Sequence, residues 1–163
     1  MSEQALFLLV EDNPDHVVLL RRAFKKAKLM NPLYAITSGE EAIDYLMGKG
    51  KYANRAEFPL PSLVLLDLKM PGLDGFDVLQ WIRSQPGISS LRVVVLSTSD
   101  EARDIDRAYK LGANSFLVKP NDFDRFVEIS MALGGYWVWT DKAPDSTRSA
   151  WPPGENGKRR STK

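Results

Sequence analysis

The sequence predicts an α/β fold in which five parallel strands alternate with five helices to form a doubly wound sheet. Short apolar runs recur along the chain, and segments with helix caps or helical apolar spacing separate them. Parallel strands need crossover connections, and the helices in those connections cover both faces of the sheet. The alternating pattern therefore predicts strands that are buried on both faces.

The apolar runs that predict strands are each bounded by polar or turn-forming residues. They lie at residues 5–10, 33–37, 63–66, 93–96 and 115–118. The third run is the most informative, because its apolar residues lead directly into Asp67 and a Pro71-Gly72 turn follows. A strand buried on both faces would bring Asp67 to the edge of the sheet where it meets solvent. An isolated Asp at a strand end is more often a turn or cap residue, so the other strand ends decide its meaning.

Each predicted helix begins near a residue that can cap it. Asn13 caps a helix whose first turn contains Pro14 and whose apolar stripe covers residues 16–27, and Ser38 with Glu41 caps one that reaches about residue 47. Asp74 caps one that ends at residues 85–87. Ser99 or Asp100 caps one that reaches Leu111 before Gly112, and Asn121 or Asp122 caps one that reaches residue 133 or 139. These side chains accept hydrogen bonds from the free N–H groups of a first helical turn.

Length and composition predict one domain followed by a tail. The chain has 163 residues, of which 44% are hydrophobic, enough for a core of ordinary size. We predict a domain over residues 1–140 and a flexible tail over residues 141–163. The tail is polar and contains three prolines and six basic against three acidic residues, which offers little apolar surface to offset the entropy of ordering.

Composition also excludes several classes of function. Without cysteine there is no disulfide, thiol catalysis or Cys-based metal site, and a single histidine excludes multi-His metal sites. The formal net charge of +1 argues neither for nor against nucleic acid. No signal peptide precedes the first apolar run, and no apolar stretch approaches the roughly 18 residues of a membrane span. We therefore expect a cytoplasmic protein with no membrane partner.

Polar side chains follow four of the five predicted strands. Glu11 and Asp12 follow the first, Asp67 the third, Ser97 the fourth and Lys119 the fifth. Because the carboxyl ends of parallel strands lie at one edge of the sheet, we expect these side chains to converge. Taken singly, the acids and Ser97 could instead cap the helices that follow, and Lys119 could be a solvated surface residue. Taken together, they predict a functional site.

Three converging carboxylates repel one another unless a cation lies between them. Carboxylates together with a carbonyl and water molecules are ligands that Mg²⁺ prefers, and the ion often keeps a side open for phosphate oxygens. A carboxylate beside Mg²⁺ can attack phosphorus to form an acyl phosphate, while Lys119 neutralises the transferred group and Ser97 donates a hydrogen bond to it. The sequence therefore predicts Mg²⁺-dependent phosphoryl transfer to a carboxylate.

Four motifs at these strand ends resemble those of the receiver domains of bacterial two-component response regulators. They are LLVEDN at residues 8–13, LDLKMPGLDG at 66–75, VLSTS at 95–99 and GANSFLVKP at 112–120. The resemblance covers roughly residues 5–135. It implies a flavodoxin-like fold with strand order 2-1-3-4-5. It also implies a signalling module that catalyses only its own aspartyl phosphorylation and dephosphorylation, and not an enzyme acting on an external substrate.

The resemblance also assigns roles in the reaction, position by position. Asp67 is implied as the phosphoacceptor, with Ser97 and Lys119 in contact with the phosphoryl group. Phe116 is implied as an aromatic switch that turns inward when Ser97 moves toward the phosphate. Two of these positions differ from the commonest residue of the family, since Ser97 stands where Thr is commoner and Phe116 lacks the hydroxyl of a Tyr, and the metal site contains a third such position.

The metal site implied by the resemblance uses residues after the first and third strands. Asp12, Asp67 and the backbone carbonyl of Lys69 would bind Mg²⁺ directly, and Glu11 would act through water. Glu11 replaces the more usual Asp, which lengthens one arm of the site and would loosen its hold on the metal.

A narrower resemblance is to the single-domain regulators that serve phytochrome-type histidine kinases. It rests on the long loop at residues 48–61, the serine-rich run at 96–99, the NDFDRF segment at 121–126 and the aromatic segment at 136–139. It implies a sensor histidine kinase or a histidine phosphotransfer protein as partner, and a homodimer through the fourth helix, fifth strand and fifth helix. Trp137 and Trp139 would either join that contact or pack on their own domain.

Two other functions compete with the signalling module. A small Mg²⁺-dependent phosphatase or phosphotransferase with an Asp nucleophile would also form an aspartyl phosphate. Such enzymes usually need a second acid two residues after the nucleophile, where this chain has Lys69, and a cap domain over the substrate. Output to nucleic acid through the basic cluster at residues 158–160 is disfavoured, because no helix-turn-helix pattern follows the domain and short basic clusters are usually solvated.

Overall fold

A computed structural model describes residues 5–140, with side chains as far as residue 134. Five strands form one parallel sheet, and five helices and a 3₁₀ turn at Gly50–Tyr52 connect them. The strands are β1 (Phe7–Val10), β2 (Leu33–Ile36), β3 (Leu63–Leu66), β4 (Val93–Ser97) and β5 (Ser115–Val118). The helices are α1 (Pro14–Lys26), α2 (Gly39–Met47), α3 (Gly75–Ser84), α4 (Ala102–Lys110) and α5 (Phe123–Thr140). The order β2-β1-β3-β4-β5 confirms the predicted doubly wound fold.

The sheet is buried on both faces, as the unbroken apolar strands predict. Along β1, Leu8 and Val10 contribute to one core with residues of α2, α3 and α4. Phe7 and Leu9 contribute to a second core with residues of α1 and α5. The strand begins at Phe7 and not at residue 5, because its ladder starts where Leu33 and Leu63 begin the two neighbouring strands.

Side-chain caps fix the start of the first three helices. Asn13 accepts a hydrogen bond from the backbone N–H of Asp15 at 2.9 Å, as predicted for α1. Ser38 likewise accepts the N–H of Glu41 at the start of α2. Asp74 caps α3 with a reciprocal capping box that includes Asp77. These caps confirm where the helices begin, and α2 ends at Met47 as expected.

The prediction for the start of α4 is wrong by one or two residues. The cap position is Glu101, which makes no side-chain cap hydrogen bond, and not Ser99 or Asp100. Ser99 instead accepts the N–H of Glu101 at 3.3 Å and donates its hydroxyl to Asp104 at 2.6 Å. The serine therefore organises the turn before the helix. At the other end Gly112 follows the last helical residues in the left-handed conformation, with φ of 103°, and its N–H donates to the carbonyl of Tyr109, as expected for a glycine that ends a helix.

A glycine holds the N-terminus of α3 against the end of β3. A Cβ atom at Gly75 would lie 2.2 Å from the backbone oxygen of Asp67. The N–H of Gly75 donates to the carbonyl of Leu68 at 2.9 Å. Only a residue without a side chain permits this approach, so Gly75 fixes the loop that carries Asp67.

The long loop between α2 and β3 is packed by an aromatic cluster, which consists of Tyr34, Tyr45, Tyr52 and Phe58. Neighbouring ring centroids within it lie 4.9 to 6.2 Å apart. Arg55 lies against Tyr45 and donates to the carbonyls of Tyr45, Leu46 and Phe58. The loop at residues 48–61 is therefore an ordered part of the domain. The predicted tail at residues 141–163 and the side chains of Trp137 and Trp139 lie outside the described residues.

Candidate functional site

Three carboxylates meet at the carboxyl ends of β1 and β3, and Glu11, Asp12 and Asp67 are called the acidic cluster below. One oxygen from each lies within 4.8 Å of the others. The strand ladder continues into this cluster, because the N–H of Asp67 donates to Val10 at 3.0 Å and the N–H of Glu11 to Ile36 at 2.9 Å. The backbone therefore places these acids where the alternating pattern predicts them.

Lys119 brings a buried ammonium group to the acidic cluster. Its N–H donates to the carbonyl of Ser97 at 2.7 Å, which extends the pairing of β4 with β5 beyond Val118. Its Nζ donates to the carboxylate of Glu11 and lies 3.7 Å from Oδ2 of Asp67. Only 5% of the Lys119 side chain is exposed. The ammonium is therefore committed to the cluster and is not a solvated surface charge, which was the alternative.

The charges of the site do not balance among the described residues. Three carboxylates face one ammonium, and the side chain of Glu11 is almost fully buried. Burial is the main cause that raises the pKa of Asp67 to about 6, while Lys119 lowers it and Glu11 raises it further. A group of carboxylates with this surplus of negative charge suits a hard divalent cation, which would favour their ionised forms.

Ser97 connects the site to α4 through a second serine. The Ser97 side chain is fully buried, and its Oγ accepts the N–H of Ser99 at 3.1 Å. The hydroxyl of Ser99 in turn donates to Asp104 in the first turn of α4. A movement of the Ser97 hydroxyl would therefore remove an acceptor from the turn on which α4 begins.

Phe116 and Lys69 are two further residues that the sequence predicts to belong to the site, and the structure places them in different environments. The ring of Phe116 is already inside the core, with 1% of the residue exposed, and its N–H donates to the hydroxyl of Tyr109 at 3.1 Å. The side chain of Lys69 is exposed in the loop after β3. The structure therefore shows the ring of Phe116 already turned inward, and does not show the outward position from which the implied rotation would start.

Sequence reasoning missed His16 as part of the site. Its Nδ1 lies 2.8 Å from Nζ of Lys119 and 3.6 Å from Oε1 of Glu11. No local pattern in the sequence signals it, because Glu11 and Asp12 precede the first residue of α1 and Lys119 lies 103 positions further along the chain.

The fold and the site together define a class of protein that receives a phosphoryl group on a carboxylate at the carboxyl edge of a doubly wound sheet. The family model for the response regulator receiver domain matches residues 7–130. The chain belongs to the response regulator receiver domain family.

Individual relatives agree with this assignment over most of their length. The probable methanogenesis regulatory protein FilR2 of Methanothrix harundinacea is 35% identical over 142 residues, covering 85% of this chain and 87% of that protein. Response regulator Rcp1 of Synechocystis is 31% identical over 139 residues, covering 85% of this chain and 92% of that protein.

Solved structures show the same fold with similar coverage. The phosphorylated cyanobacterial phytochrome response regulator RcpA has a TM-score of 0.77 and 33% identity, covering 85% of this chain and 96% of that one. The Mn²⁺-bound form of Rcp1 has a TM-score of 0.74 and 31% identity, covering 83% of this chain and 96% of that one. Among the residues described here, no helix has the length and apolar character needed to cross a bilayer.

Proposed function

We propose that this protein is a single-domain response regulator that accepts a phosphoryl group on Asp67 from a phosphohistidine. The observation that supports this most directly is the placement of Asp67, 3.7 Å from a buried ammonium and within an acidic cluster that suits a cation. A carboxylate oxygen of Asp67 attacks the phosphorus, and the bond from phosphorus to the histidine nitrogen of the donor breaks. The products are an aspartyl phosphate and a neutral imidazole on the donor once that nitrogen has taken a proton.

The residues around Asp67 have different roles in this phosphoryl transfer. Lys119 neutralises an equatorial oxygen of the phosphoryl group, and the Ser97 hydroxyl donates a hydrogen bond to it. Asp12, Asp67 and the carbonyl of Lys69 would hold Mg²⁺, with Glu11 acting through water. The ion would supply charge neutralisation to the carboxylates and to the phosphoryl oxygens. The acidic cluster supports a divalent cation of this kind, and so does the similarity to Rcp1, which has been solved in a Mn²⁺-bound form.

The conformational change that signals phosphorylation starts at the hydrogen bond between Ser97 and Ser99. When its hydroxyl turns to the phosphoryl group, Ser99 loses the acceptor for its N–H, and the turn that leads into α4 loses one of its supports. The surface formed by α4, β5 and α5 then changes between two states. Phe116 contributes to this change by repacking inside the core, since its ring is already buried.

The protein is a signalling module in this proposal, and it turns over no external substrate. Its partner is a sensor histidine kinase or a histidine phosphotransfer protein, and the similarity to the phytochrome response regulator RcpA supports a phytochrome-type kinase. A homodimer through α4, β5 and α5, extended by the C-terminal aromatic residues, is the proposed assembly. Neither a membrane nor nucleic acid is a proposed partner, and the proposed location is the cytoplasm.

The test is intact-mass spectrometry after incubation with a small-molecule phosphodonor and Mg²⁺. We expect the wild-type chain to gain one phosphoryl mass, and the gain to be absent in Asp67→Asn and in the presence of a chelator. Asp106→Asn, which removes an exposed acid on α4, serves as the matched control and should gain the same mass. Continuous hydrolysis of a phosphate monoester without a persistent label would instead support the phosphatase or phosphotransferase.

A second assay addresses the donor. A phosphorylated phytochrome-type histidine kinase should lose its label to the wild-type chain within seconds to minutes and not to Asp67→Asn. Transfer from an unrelated kinase at the same rate would leave the receiver chemistry intact and refute the proposed choice of partner.

A further inference from the structure

His16, the one histidine of the chain, contacts the ammonium that serves the phosphoacceptor. It lies on the first turn of α1, where 34% of its side chain remains exposed. Its Nδ1 is 2.8 Å from Nζ of Lys119, a normal hydrogen-bond distance. No step of the proposed reaction uses this contact between His16 and Lys119.

The contact assigns the position of the ring proton. The ammonium of Lys119 has three donors and no acceptor, so a nitrogen 2.8 Å away must accept one of them. Nδ1 of His16 therefore carries the lone pair, and the proton of the neutral ring is on Nε2. A charged imidazole has a donor at both nitrogens and would face the ammonium with like charge.

Two of the three ammonium protons are then committed. One binds the carboxylate of Glu11 and one binds His16, while Oδ2 of Asp67 is 3.7 Å away, beyond a direct hydrogen bond. The third proton of the ammonium is therefore the one that would be donated to a phosphoryl oxygen on Asp67, and the ammonium would keep both of its present partners.

We propose that His16 is a positioning residue for phosphoryl transfer, which holds the Lys119 ammonium in the place where it meets the incoming phosphoryl group. The inference rests on the proposed function, because it gives His16 a role in that same reaction. An ammonium fixed in advance needs no reorganisation when charge develops, and this is the condition under which such a group accelerates a reaction most. Without His16, Glu11 would be the one group within hydrogen-bond distance of the Lys119 ammonium among the contacts described, because Asp67 lies 3.7 Å away.

His16 acts through Lys119 and not as a metal ligand. The candidate cation cluster in the described part of the chain consists of three carboxylates, and His16 is outside it. Replacement of His16 should therefore alter the rate of phosphoryl transfer while the affinity for Mg²⁺ stays the same. That difference separates its role from a general disturbance of the acidic cluster.

The kinetic test compares two replacements of similar fold compatibility. His16→Asn keeps an acceptor, because the amide oxygen takes the place of Nδ1 relative to Cβ, whereas His16→Leu keeps the bulk and removes the acceptor. With acetyl phosphate and saturating Mg²⁺, we expect His16→Leu to accept the phosphoryl group about 3- to 10-fold more slowly, the range that one hydrogen bond accounts for. His16→Asn should remain within about twofold of the wild-type rate.

A direct measurement of the contact uses the fact that the chain has a single histidine. In a ¹⁵N-labelled protein without an affinity tag, the imidazole gives one pair of ring-nitrogen signals, so no assignment is needed. We expect Nδ1 to be unprotonated and displaced by its hydrogen bond. The displacement should disappear in Lys119→Met and persist when beryllofluoride and Mg²⁺ imitate the phosphorylated state.

The outcomes are separable. If wild-type protein accepts a phosphoryl group and His16→Leu does so at the same rate, the positioning role is refuted and the proposed function stands. A protonated Nδ1, or signals that ignore Lys119→Met, would refute the contact even if His16→Leu is too unstable for kinetics. If no variant, including the wild type, is labelled by any donor, the proposed function fails, and the role for His16 fails with it.

Discussion

The aromatic cluster and the acidic cluster both bury polar groups, and they differ in how those groups are paired. In the aromatic cluster the hydroxyl of Tyr45 donates to the carbonyl of Pro59 at 2.7 Å, and that of Tyr52 donates to Glu41 at 2.5 Å. Arg55 donates to three backbone carbonyls. In the acidic cluster of the described residues, three carboxylates lie together, and the ammonium of Lys119 contacts Glu11 and lies 3.7 Å from Asp67.

The pairing of the buried polar groups distinguishes the region that stabilises the fold from the region that supports function. Buried polar groups with partners stabilise a structure or cost it little, whereas like charges held together without enough partners cost stability. The aromatic cluster should therefore contribute strongly to the free energy of unfolding. The acidic cluster should lower that free energy until a cation completes its charge balance.

The largest expected effect is the loss of a ring from the aromatic cluster. Tyr52 is 2% exposed and contacts the other three rings, so Tyr52→Ala should lower the free energy of unfolding by about 3 kcal/mol in urea titrations. Tyr52→Phe keeps the ring and removes the hydroxyl that donates to Glu41, and it should cost about 1 kcal/mol. Both variants should still accept a phosphoryl group. A cost below about 1 kcal/mol for Tyr52→Ala would show that the loop is not packed as described.

Replacement of Asp67 in the acidic cluster should have a smaller effect, and it should raise the free energy of unfolding instead of lowering it. The pKa of Asp67 rises from 3.8 to about 6 in the fold, mainly through burial, so its ionised form is disfavoured there. The stability associated with Asp67 is thus fully present below about pH 4 and is lost as pH rises through about 6. Asp67→Asn should therefore stabilise the metal-free protein at pH 7 by about 1 to 2 kcal/mol, a figure discounted for solvent at the open edge.

The sign of this effect is checked by repeating the unfolding at low pH. At pH 4 most of the difference between wild type and Asp67→Asn should be gone, because native Asp67 is then neutral. Asp106→Asn should show no comparable gain at either pH, since Asp106 is exposed on α4. A gain for Asp67→Asn that is equal at pH 4 and pH 7 would contradict the charge argument.

The smallest expected effect is stabilisation by the cation itself. Mg²⁺ should raise the free energy of unfolding by about 1 kcal/mol at a free concentration about five times its Kd. The gain should be smaller in Asp12→Asn and in Asp67→Asn, and unchanged in Asp106→Asn. Equal stabilisation of all four proteins would mean that the ion acts through general screening and not at the acidic cluster.

Most of the fold could be predicted because its determinants are local. Apolar runs, caps and turns are written in adjacent residues, and the parallel sheet follows from their alternation. The start of α4 could not be predicted, because the Ser99 side chain can either cap the helix or donate a hydrogen bond to Asp104. Only the folded structure determines which of the two interactions forms. The aromatic cluster was missed for a related reason, since Tyr34 lies on β2 while the other rings come from α2 and the loop after it.

The candidate site also contains features that the sequence predicts and features that it does not. Asp12, Asp67 and Lys119 were identified because they directly follow strands, and topology alone places them at one edge. The contact of His16 with Lys119 joins residues more than a hundred positions apart, and no local pattern encodes it. The raised pKa of Asp67 depends on burial and on Glu11, which are properties of the folded edge.

The hydrogen bond between Phe116 and Tyr109 has a consequence for self-association. β5 is the last strand of the sheet, and an edge strand presents backbone groups that a second chain can pair with. The Tyr109 hydroxyl, carried by α4, covers the N–H of Phe116 on that edge. A displacement of α4 would uncover this donor. In the proposed function, activation and protection against strand addition depend on the same helix, so a regulator held long in its active state should be more prone to pair with a second chain at this edge.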